Sequence, residues 1–438
     1  MLRDFSRAAH ITAGISMTTA NSSTATTDIV TDPFTQAEVS ARDDIEMERV
    51  QAHLIVCVYA RDAAGIRAIF AQHNADRLIG SLRKPRYFPV HEAAGSDNSA
   101  VLGALIDVLP ADVLNVRDDS GRTPLMCAAE QGQLNAIHKL LASKAAVGMT
   151  DNAGCSALMR AAASGATDAV KILLGYEVYA TNGDDQPMGI NRQDHKGDTA
   201  LMLAIRAGHY EVVRALVARG ASIDIANADG EQALSLAASL GRCRVVRLLC
   251  EQPGVDLNAA DHQGITAVMH ATDYADRAYD PSILNLLLGY NVRTDLKDHH
   301  GCTALLRAAK GQSDVAIEHL IAGWADIHAT DSEGCSALTL AVKHRNAYGL
   351  RFLSRQPGVW IDARDHRGCT PLSYAVDAGD CEIVDELIQR GASVNLLYGE
   401  RNETVLALAQ RSGNQRMVDL LLANGARREI PELIELAG

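Results

Sequence analysis

A four-residue motif, Asp-x-x-Gly, recurs along most of this chain at a nearly constant spacing. It begins at Asp118, Asp151, Asp194, Asp261, Asp298, Asp331 and Asp365, with an asparagine version at Asn227. The motif glycines from Gly121 to Gly368 stand 33, 43, 33, 34, 37, 33 and 34 residues apart. A period of about 20 to 50 residues is typical of arrays of stacked units and not of a domain with one central core. The spacing therefore predicts a repeat protein.

Each motif is followed by two segments with helical periodicity. In all but one unit a Thr or Ser stands two residues after the glycine and precedes a small residue and a Leu or Val, as at Thr123. Small residues such as Ala128 and Ala129 follow on the same helical face. After a break, a Val-x-x-Leu-Leu pattern such as that of residues 170–174 indicates a second amphipathic helix. One helix pair cannot bury its apolar faces alone, so we expect the units to stack.

The pattern resembles the ankyrin repeat, a unit of about 33 residues with the signature T-P-L-H-x-A. The signature proline stands at Pro124 and Pro371, and a degenerate copy keeps the histidine as His91. The resemblance implies an all-α ankyrin solenoid of about eleven helix-turn-helix units with short β-hairpin-like turns. Methionine replaces the histidine in several units, at Met126, Met159, Met202 and Met269. The hydrogen bonds that this histidine makes in the family are therefore not expected in these units, and we expect their local stability to be lower.

The repeats also predict how the chain is divided. The predicted segments are a disordered Ser/Thr/Ala-rich tail (1–44) and an ankyrin array (45–438), which comprises an atypical amino-terminal cap unit (45–84), internal units (85–398) and a carboxyl-terminal cap unit (399–438). The tail bears a faint similarity to a mitochondrial transit peptide.

Insertions are expected near 181–193 and 272–282. The first is interpreted either as a specificity loop or as neutral drift of a surface loop. The unit with the second insertion, and the unit 331–364, where Arg345 and Asn346 replace Gly-His, are the expected sites of local opening.

Composition excludes several classes of partner. With 41 Lys and Arg against 54 Asp and Glu, the net charge of -13 lacks the positive surface that nucleic acid requires, so no nucleic-acid binding is predicted. No apolar run approaches the roughly 18 residues of a membrane span, so no membrane insertion is predicted. Nine cysteines without a C-x-x-C pair indicate reduced thiols and a cytoplasmic location. A monomer is expected.

Motif searches predict neither an enzyme nor a cofactor. The chain has no phosphate-cradling G-x-x-x-x-G-K and no G-x-S-x-G, and the H-E-x-x-G at His91 lacks the second histidine of a zinc site. Histidines recur next to the motif aspartate, at His195, His262, His299 and His366, with His300 beside the third. Stacked units are about 8–10 Å apart, which is too far for shared zinc ligands. We therefore interpret these histidines as solvated turn residues and predict no metal.

Cysteines show the same period, since Cys155, Cys302, Cys335 and Cys369 each follow the turn glycine. This position predicts a row of exposed thiols. Redox sensing is one interpretation, and a small residue copied by repeat duplication is the favoured one, because no consistent basic environment is visible to lower the thiol pKa.

Aromatic residues are scarce, at 4% of the chain, and interface hot spots favour them. The aromatic residues could bind a partner or could cap the ends of the core. Together with the turn residues they form the set of candidate partner-binding positions. This set is Tyr176, Tyr179, His195, Lys196, His262, His299, His300, Trp324, Glu333, Trp360, His366 and Arg367.

The predicted function is that of a non-enzymatic protein–protein interaction scaffold or adaptor. The resemblance implies that turn tips and first helices form a concave face that holds partner proteins. The alternative is a regulatory or targeting subunit that positions an enzyme of the kinase, phosphatase or ubiquitin ligase type. Tip residues of both charges leave the identity of the partner open.

Overall fold

The computed structural model describes residues 46–47, 49–73, 78–79, 89–96, 98–177, 189–272, 281–399 and 402–427. The predicted tail, the candidate Tyr179 and most of both predicted insertions (178–188 and 273–280) lie outside the described residues. Contacts divide the chain at His195 and Lys196 into two compact bodies. We call them the amino-terminal and the carboxyl-terminal body and describe each by itself.

Short helices alternate along both bodies. The first helices of successive units are α2 (Pro89–Gly95), α4 (Pro124–Glu130), α6 (Ala157–Ser164), α8 (Ala200–Ala207), α10 (Ala233–Ser239), α12 (Ala267–His270), α14 (Ala304–Lys310), α16 (Ala337–Lys343), α18 (Pro371–Asp377) and α20 (Val405–Arg411). The second helices are α1 (Ala63–Gln72), α3 (Ser99–Val108), α5 (Leu134–Ala142), α7 (Thr167–Glu177), α9 (Tyr210–Ala218), α11 (Cys243–Cys250), α13 (Pro281–Gly289), α15 (Asp314–Ala322), α17 (Ala347–Leu353), α19 (Cys381–Gln389) and α21 (Gln415–Ala423). Residues 49–59 are helical and precede α1, so the described residues contain eleven helix pairs.

The prediction of an all-α ankyrin solenoid is confirmed. First helices pack on first helices and second helices on second helices, in α2 to α7 of the amino-terminal body and in α8 to α21 of the carboxyl-terminal body. The alanine pairs lie at these contacts and are fully buried, as at Ala161 and Ala162. Small side chains allow helix axes to approach closely, which is why the first helices are thin and rich in alanine.

The second helices are amphipathic, as their apolar period predicts. In α7 the buried side chains Val170, Leu173 and Leu174 fill the space beneath the helix pair, while Lys171 faces solvent. Burial of these aliphatic side chains is the main source of the stability of each unit.

The Thr or Ser that stands two residues after the motif glycine caps the first helix. In α4, α6, α8, α14, α16, α18 and α20 its hydroxyl accepts a hydrogen bond from the backbone N–H three residues on. In α4 and α6 the sulfur of Met126 or Met159 accepts the N–H of the capping residue at 3.4 Å. The methionine that replaces the signature histidine thus contributes to the cap instead of leaving the turn without a partner.

Within the residues that the structure describes, strand structure is confined to the turns, as predicted. In the described residues, β1 (Leu397–Tyr398) and β2 (Glu403–Thr404) pair antiparallel, with Leu397 opposite Thr404. Single antiparallel bridges join Ala260 to Thr266 and Thr330 to Ser336. These short pairs return the chain from each turn to the next first helix.

One unit departs from the pattern in the region where the sequence predicts local opening. Its first helix, α12, has only four residues, and Thr266 makes no side-chain cap. The buried Thr266 hydroxyl has no hydrogen-bond partner in the described part of the chain, and the buried His270 Nε2 lies 3.4 Å from Asp261 Oδ2 without forming a hydrogen bond. This unit therefore lacks interactions that stabilise its neighbours.

Candidate protein-interaction surface

The motif aspartate builds each turn through its own backbone. One side-chain oxygen accepts hydrogen bonds from the N–H groups two and four residues on, at 2.7–3.0 Å. Seven turns show this pair of bonds, those of Asp118, Asp151, Asn227, Asp261, Asp298, Asp331 and Asp365, and in the turn of Asn227 the acceptor is the amide oxygen. The glycine that follows adopts a left-handed conformation, with φ of +84° at Gly154. Asp and Gly are therefore required by the turn itself, which explains why the motif recurs.

The second carboxylate oxygen faces a polar side chain of the first helix. Arg160 Nε donates to Asp151 Oδ2 at 2.8 Å, and Arg307 donates to Asp298 Oδ2 at 2.7 Å. Burial alone would raise the pKa of Asp151, but the hydrogen bonds from Arg160 and from the backbone outweigh it, and the pKa is lowered. These arginines are neutralised inside the unit, so they are not free to bind an acidic partner.

Neighbouring turn tips are joined by backbone hydrogen bonds. In the amino-terminal body, Asn152 N donates to Ser120 O and His195 N to Ala153 O. In the carboxyl-terminal body the donors are Ala228, His262, His299, Ser332, His366 and Gly399, and the acceptors are the carbonyls of Lys196, Asp229, Gln263, His300, Glu333 and Gly368. Bonds of 2.8–3.1 Å at each step hold the tips in a fixed order and spacing.

The tip histidines are exposed, as predicted, but their rings also have a structural contact. A Cβ placed on Gly154 would lie 2.8 Å from Cδ2 of His195, and one on Gly230 would lie 2.6 Å from Cδ2 of His262. His366 covers Gly334 in the same way, whereas His299 approaches Gly264 only with its backbone. The rings of His195, His262 and His366 therefore lie against the turn of the preceding unit, although these residues are exposed. The sequence predicted solvated turn residues and gave no signal for this packing, which needs the glycine of the neighbouring unit.

We define the tip row as the exposed tip residues of the carboxyl-terminal body. They are Lys196, Asp229, His262, Gln263, His299, His300, Ser332, Glu333, His366 and Arg367. Seven of the predicted partner-binding residues belong to this row: Lys196, His262, His299, His300, Glu333, His366 and Arg367. Glu333 pairs with Lys343 at 3.0 Å, and this hydrogen bond lowers the pKa of the Glu333 carboxyl.

The predicted row of exposed thiols is wrong. Cys155, Cys302 and Cys335 are buried, and Cys369 is half-buried. Burial raises the pKa of each of the three buried thiols to about 11. The residue after the turn glycine already points under the first helix, so a small apolar side chain fits there and a reactive thiolate does not form.

The predicted aromatic candidates lie apart from the tips. Tyr176, in α7, is 40% exposed. Trp324 and Trp360 lie in the loops that follow α15 and α17 and are 93% and 64% exposed. Such exposure excludes the alternative in which the tryptophans cap the core.

Two further structural findings bear on function. None of the helices in the described residues is both long enough and apolar enough to cross a membrane. Within the same residues, the His, Cys, Asp and Glu side chains form no group of three or more that could hold a metal ion.

Comparison with protein families agrees with this architecture. A family model described as ankyrin repeats (3 copies) matches residues 90–184, 178–261, 268–365, 316–398 and 358–431. These matches together span far more than half of the chain, so the chain belongs to the ankyrin repeat family. Ankyrin repeats are protein–protein interaction modules, and the fold is typically non-enzymatic.

Similar proteins include two channels and an ankyrin protein. The chain is 24% identical over 385 residues to the human transient receptor potential cation channel subfamily A member 1 and 26% identical over 360 residues to its Drosophila melanogaster counterpart. These matches cover 77% and 76% of this chain but 33% and 29% of the relatives. Mouse Rabankyrin-5 is 29% identical over 222 residues, which is 50% of this chain and 16% of that protein. The chain thus spans a third or less of the length of these relatives.

Among solved structures, the ankyrin repeat domain of Bcl-3, a member of the IkappaB protein family, is similar to part of the chain. It is 28% identical, with a TM-score of 0.46, and the match covers 52% of this chain and 100% of that domain.

Proposed function

We propose that the chain is a non-enzymatic scaffold or adaptor of the cytoplasm that holds partner proteins along the tip row. The observation that carries this proposal is the combination of a fixed backbone and exposed side chains. The tips are hydrogen-bonded to one another, whereas Gln263, His300 and Arg367 are exposed. A surface whose backbone is already ordered loses little conformational entropy when a partner binds, and this supports affinity.

The chemistry of the tip row fits a partner with mixed polar contacts. Acidic, basic and imidazole side chains alternate along it, from Asp229 through His300 to Glu333 and Arg367. Alternating charge favours specificity of register and orientation more than raw affinity. The channel activity of the two longer relatives is not part of the proposal, because this chain matches only a third of each.

Affinity capture with the full chain tests the proposal. The tip variant carries Gln263→Ala, His300→Ala and Arg367→Ala, which spares every histidine that packs on a glycine. The control variant carries Glu382→Ala and Arg416→Ala, two exposed changes on second helices. We expect partner proteins retained by the parent and the control to be lost from the tip variant, with all three proteins equally stable.

Equal capture by the tip variant and the parent would refute the tip row as the binding face. The alternative role, in which the chain positions an enzyme, predicts that the retained proteins include one kinase, phosphatase or ubiquitin ligase in stoichiometric amount. Retention of structural proteins only would favour the scaffold.

A further inference from the structure

One pair of surface positions recurs along the second helices, at the second and the fifth residue of each. In α7 and α9 an acid and a base occupy these positions and pair with each other. Lys171 Nζ lies 2.9 Å from Asp168 Oδ1, and Arg214 Nη2 lies 2.7 Å from Glu211 Oε2. Pairs of opposite charge one turn apart stabilise a helix, which explains the recurrence.

In α11 both of these positions are basic, since Arg244 and Arg247 occupy them. Among the second helices of the described residues, α11 alone carries a cation at both positions. Like charges one turn apart destabilise a helix, and Arg244 also lies in the first turn, where the helix dipole disfavours a cation. Neither side chain forms an ion pair or a hydrogen bond with the described part of the chain. Helix stability therefore does not explain two arginines here.

Arg244 is held over an aromatic ring of the preceding unit. Its Cζ lies 4.0 Å from the ring centroid of Tyr210, the first residue of α9. Such a cation–π contact positions the guanidinium and leaves its N–H edge for other partners. Arg214 lies one turn beyond Tyr210 on α9, Arg247 lies one turn beyond Arg244 on α11, and all three arginines are exposed. We call Arg214, Arg244 and Arg247 the arginine patch.

The arginine patch is a basic surface on an acidic chain. Residues 209–219 and 242–251, which include α9 and α11, contain five arginines and two glutamates. Their net charge is +3 with histidine neutral, whereas the whole chain carries -13. The arginines near the turns, such as Arg160 and Arg307, are neutralised by motif aspartates. In the patch Glu211 neutralises Arg214, so the remaining charge is that of Arg244 and Arg247.

We infer that the arginine patch binds an acidic segment of a partner protein. The inference rests on the proposed function, adds a contact surface on the second helices and names the chemistry of the segment bound. A guanidinium matches the geometry of a carboxylate and donates two parallel hydrogen bonds to it. Carboxylates beside Arg244 and Arg247 also relieve the repulsion between the two arginines. A short acidic segment suits this surface better than a nucleic acid, because a long polyanion also meets the negative field of the rest of the chain.

Fluorescence anisotropy of the full chain with a labelled glutamate peptide measures this binding. A peptide of about eight residues reaches about 26 Å when extended, enough to cross two helices that pack about 8–10 Å apart. We expect saturable binding that weakens as the salt concentration rises, because exposed ion pairs are screened. Arg244→Glu should weaken binding about tenfold or more, because it replaces an attraction with a repulsion.

The same variant separates binding from folding. Arg244→Glu restores the acid–base pair that α7 and α9 have at these positions, so the denaturation midpoint should stay unchanged or rise while the affinity falls. Arg416→Glu is the matched control, because Arg416 is exposed at the second position of α21 and the net charge changes equally. It should leave the affinity for the glutamate peptide unchanged. Tyr210→Phe keeps the ring beneath Arg244 and should bind like the parent.

Three results would overturn the inference. The first is no saturable binding at low salt, and the second is equal weakening by Arg416→Glu, which would indicate attraction to net charge alone. The third is tighter binding of an oligonucleotide or of anionic phospholipid vesicles than of the glutamate peptide, which would indicate phosphate as the ligand.

The tip variant distinguishes the two proposals. If the glutamate peptide fails to bind while protein capture still depends on the tip row, the inference is wrong and the proposed function stands. If the peptide binds through Arg244 while capture does not depend on the tip row, the arginine patch stands and the tip row is not the binding face.

Discussion

Two equivalent threonines in adjacent units provide a sharp test of the capping argument. Thr266 and Thr303 precede α12 and α14 and are 1% and 2% exposed. Thr303 Oγ1 accepts the N–H of Leu306 at 3.4 Å, whereas the hydroxyl of Thr266 has no partner in the described residues. Valine has the same shape as threonine but no hydroxyl, so a Thr→Val change at each site removes one polar group and little else.

The expected effects have opposite signs. Loss of a helix cap costs about 0.5–2 kcal/mol, and the length of the Thr303 bond places Thr303→Val near 0.5–1 kcal/mol of destabilisation. A buried hydroxyl without a partner is itself unfavourable by about 1–3 kcal/mol, so Thr266→Val should be neutral or stabilise by up to about 1 kcal/mol. Both residues have extended backbone, which suits a β-branched side chain.

Native-state hydrogen exchange is the suitable assay, because a repeat array does not unfold in one two-state step. Thr303→Val should speed exchange of the Leu306 amide, and Thr266→Val should not speed exchange of the equivalent Met269 amide. Denaturant midpoints of the whole chain provide the second readout. If Thr266→Val destabilised the chain as much as Thr303→Val, the hydroxyl of Thr266 would have a partner and the reasoning would be refuted.

Three further predictions concern the turns, the buried histidine and the thiols. Gly230→Ala places a Cβ 2.5 Å from His262 N and should lower the free energy of unfolding by more than about 2 kcal/mol. Gly220→Ala has the same φ of +81° but no atom within 4 Å of the new Cβ, so it should cost only about 1 kcal/mol for the backbone conformation. Similar denaturation midpoints for the two variants would contradict the packing of the tips. Burial lowers the pKa of His91, so protonation is less favourable in the folded state and stability should fall as the pH drops below about 6.5. The denaturation midpoint of His91→Gln should therefore change less between about pH 7.5 and 5.5 than that of the parent. An unchanged pH dependence would refute the role of His91. Burial raises the pKa of the Cys335 thiol to about 11, so iodoacetamide should not modify it in the native chain but should modify it in denaturant. Peptide mass spectrometry measures both reactions, and rapid labelling of the native chain would contradict the burial of Cys335.

The fold was predictable because it depends on residues within one unit. Spacing of the motif glycines gives the period, and the apolar pattern of a segment such as 170–174 gives the helix and its buried face. The caps were visible as Thr or Ser at a fixed position, although the part that Met126 takes in the cap was not. Its sulfur reaches the backbone of Thr123 only once the turn is folded.

The candidate surface was less predictable because it depends on contacts between units. The sequence placed His262 at a tip and gave its exposure correctly, but its packing on Gly230 requires the neighbouring turn to be in place. The thiol of Cys335 was predicted on the wrong side for the same reason. A position next to a turn tip can point outward or under the following helix, and only the direction of the chain between Gly334 and α16 decides it.

The repeat also separates the residues of the structural framework from residues that differ between units. Residues that form the framework recur in every unit because each solves the same local problem, as Asp298 and Gly301 do in their turn. Departures occur in the loops between units. Trp324, like Lys144 and Asn291 after α5 and α13, has the positive φ that glycine adopts after other second helices, and His328 contacts the ring of Trp360. Both departures face solvent in adjoining loops, while the stacking of α15 and α17 is retained. The loops therefore tolerate residues that the turn framework does not specify, and such residues, unlike the motif aspartate and glycine, cannot be predicted from the repeat.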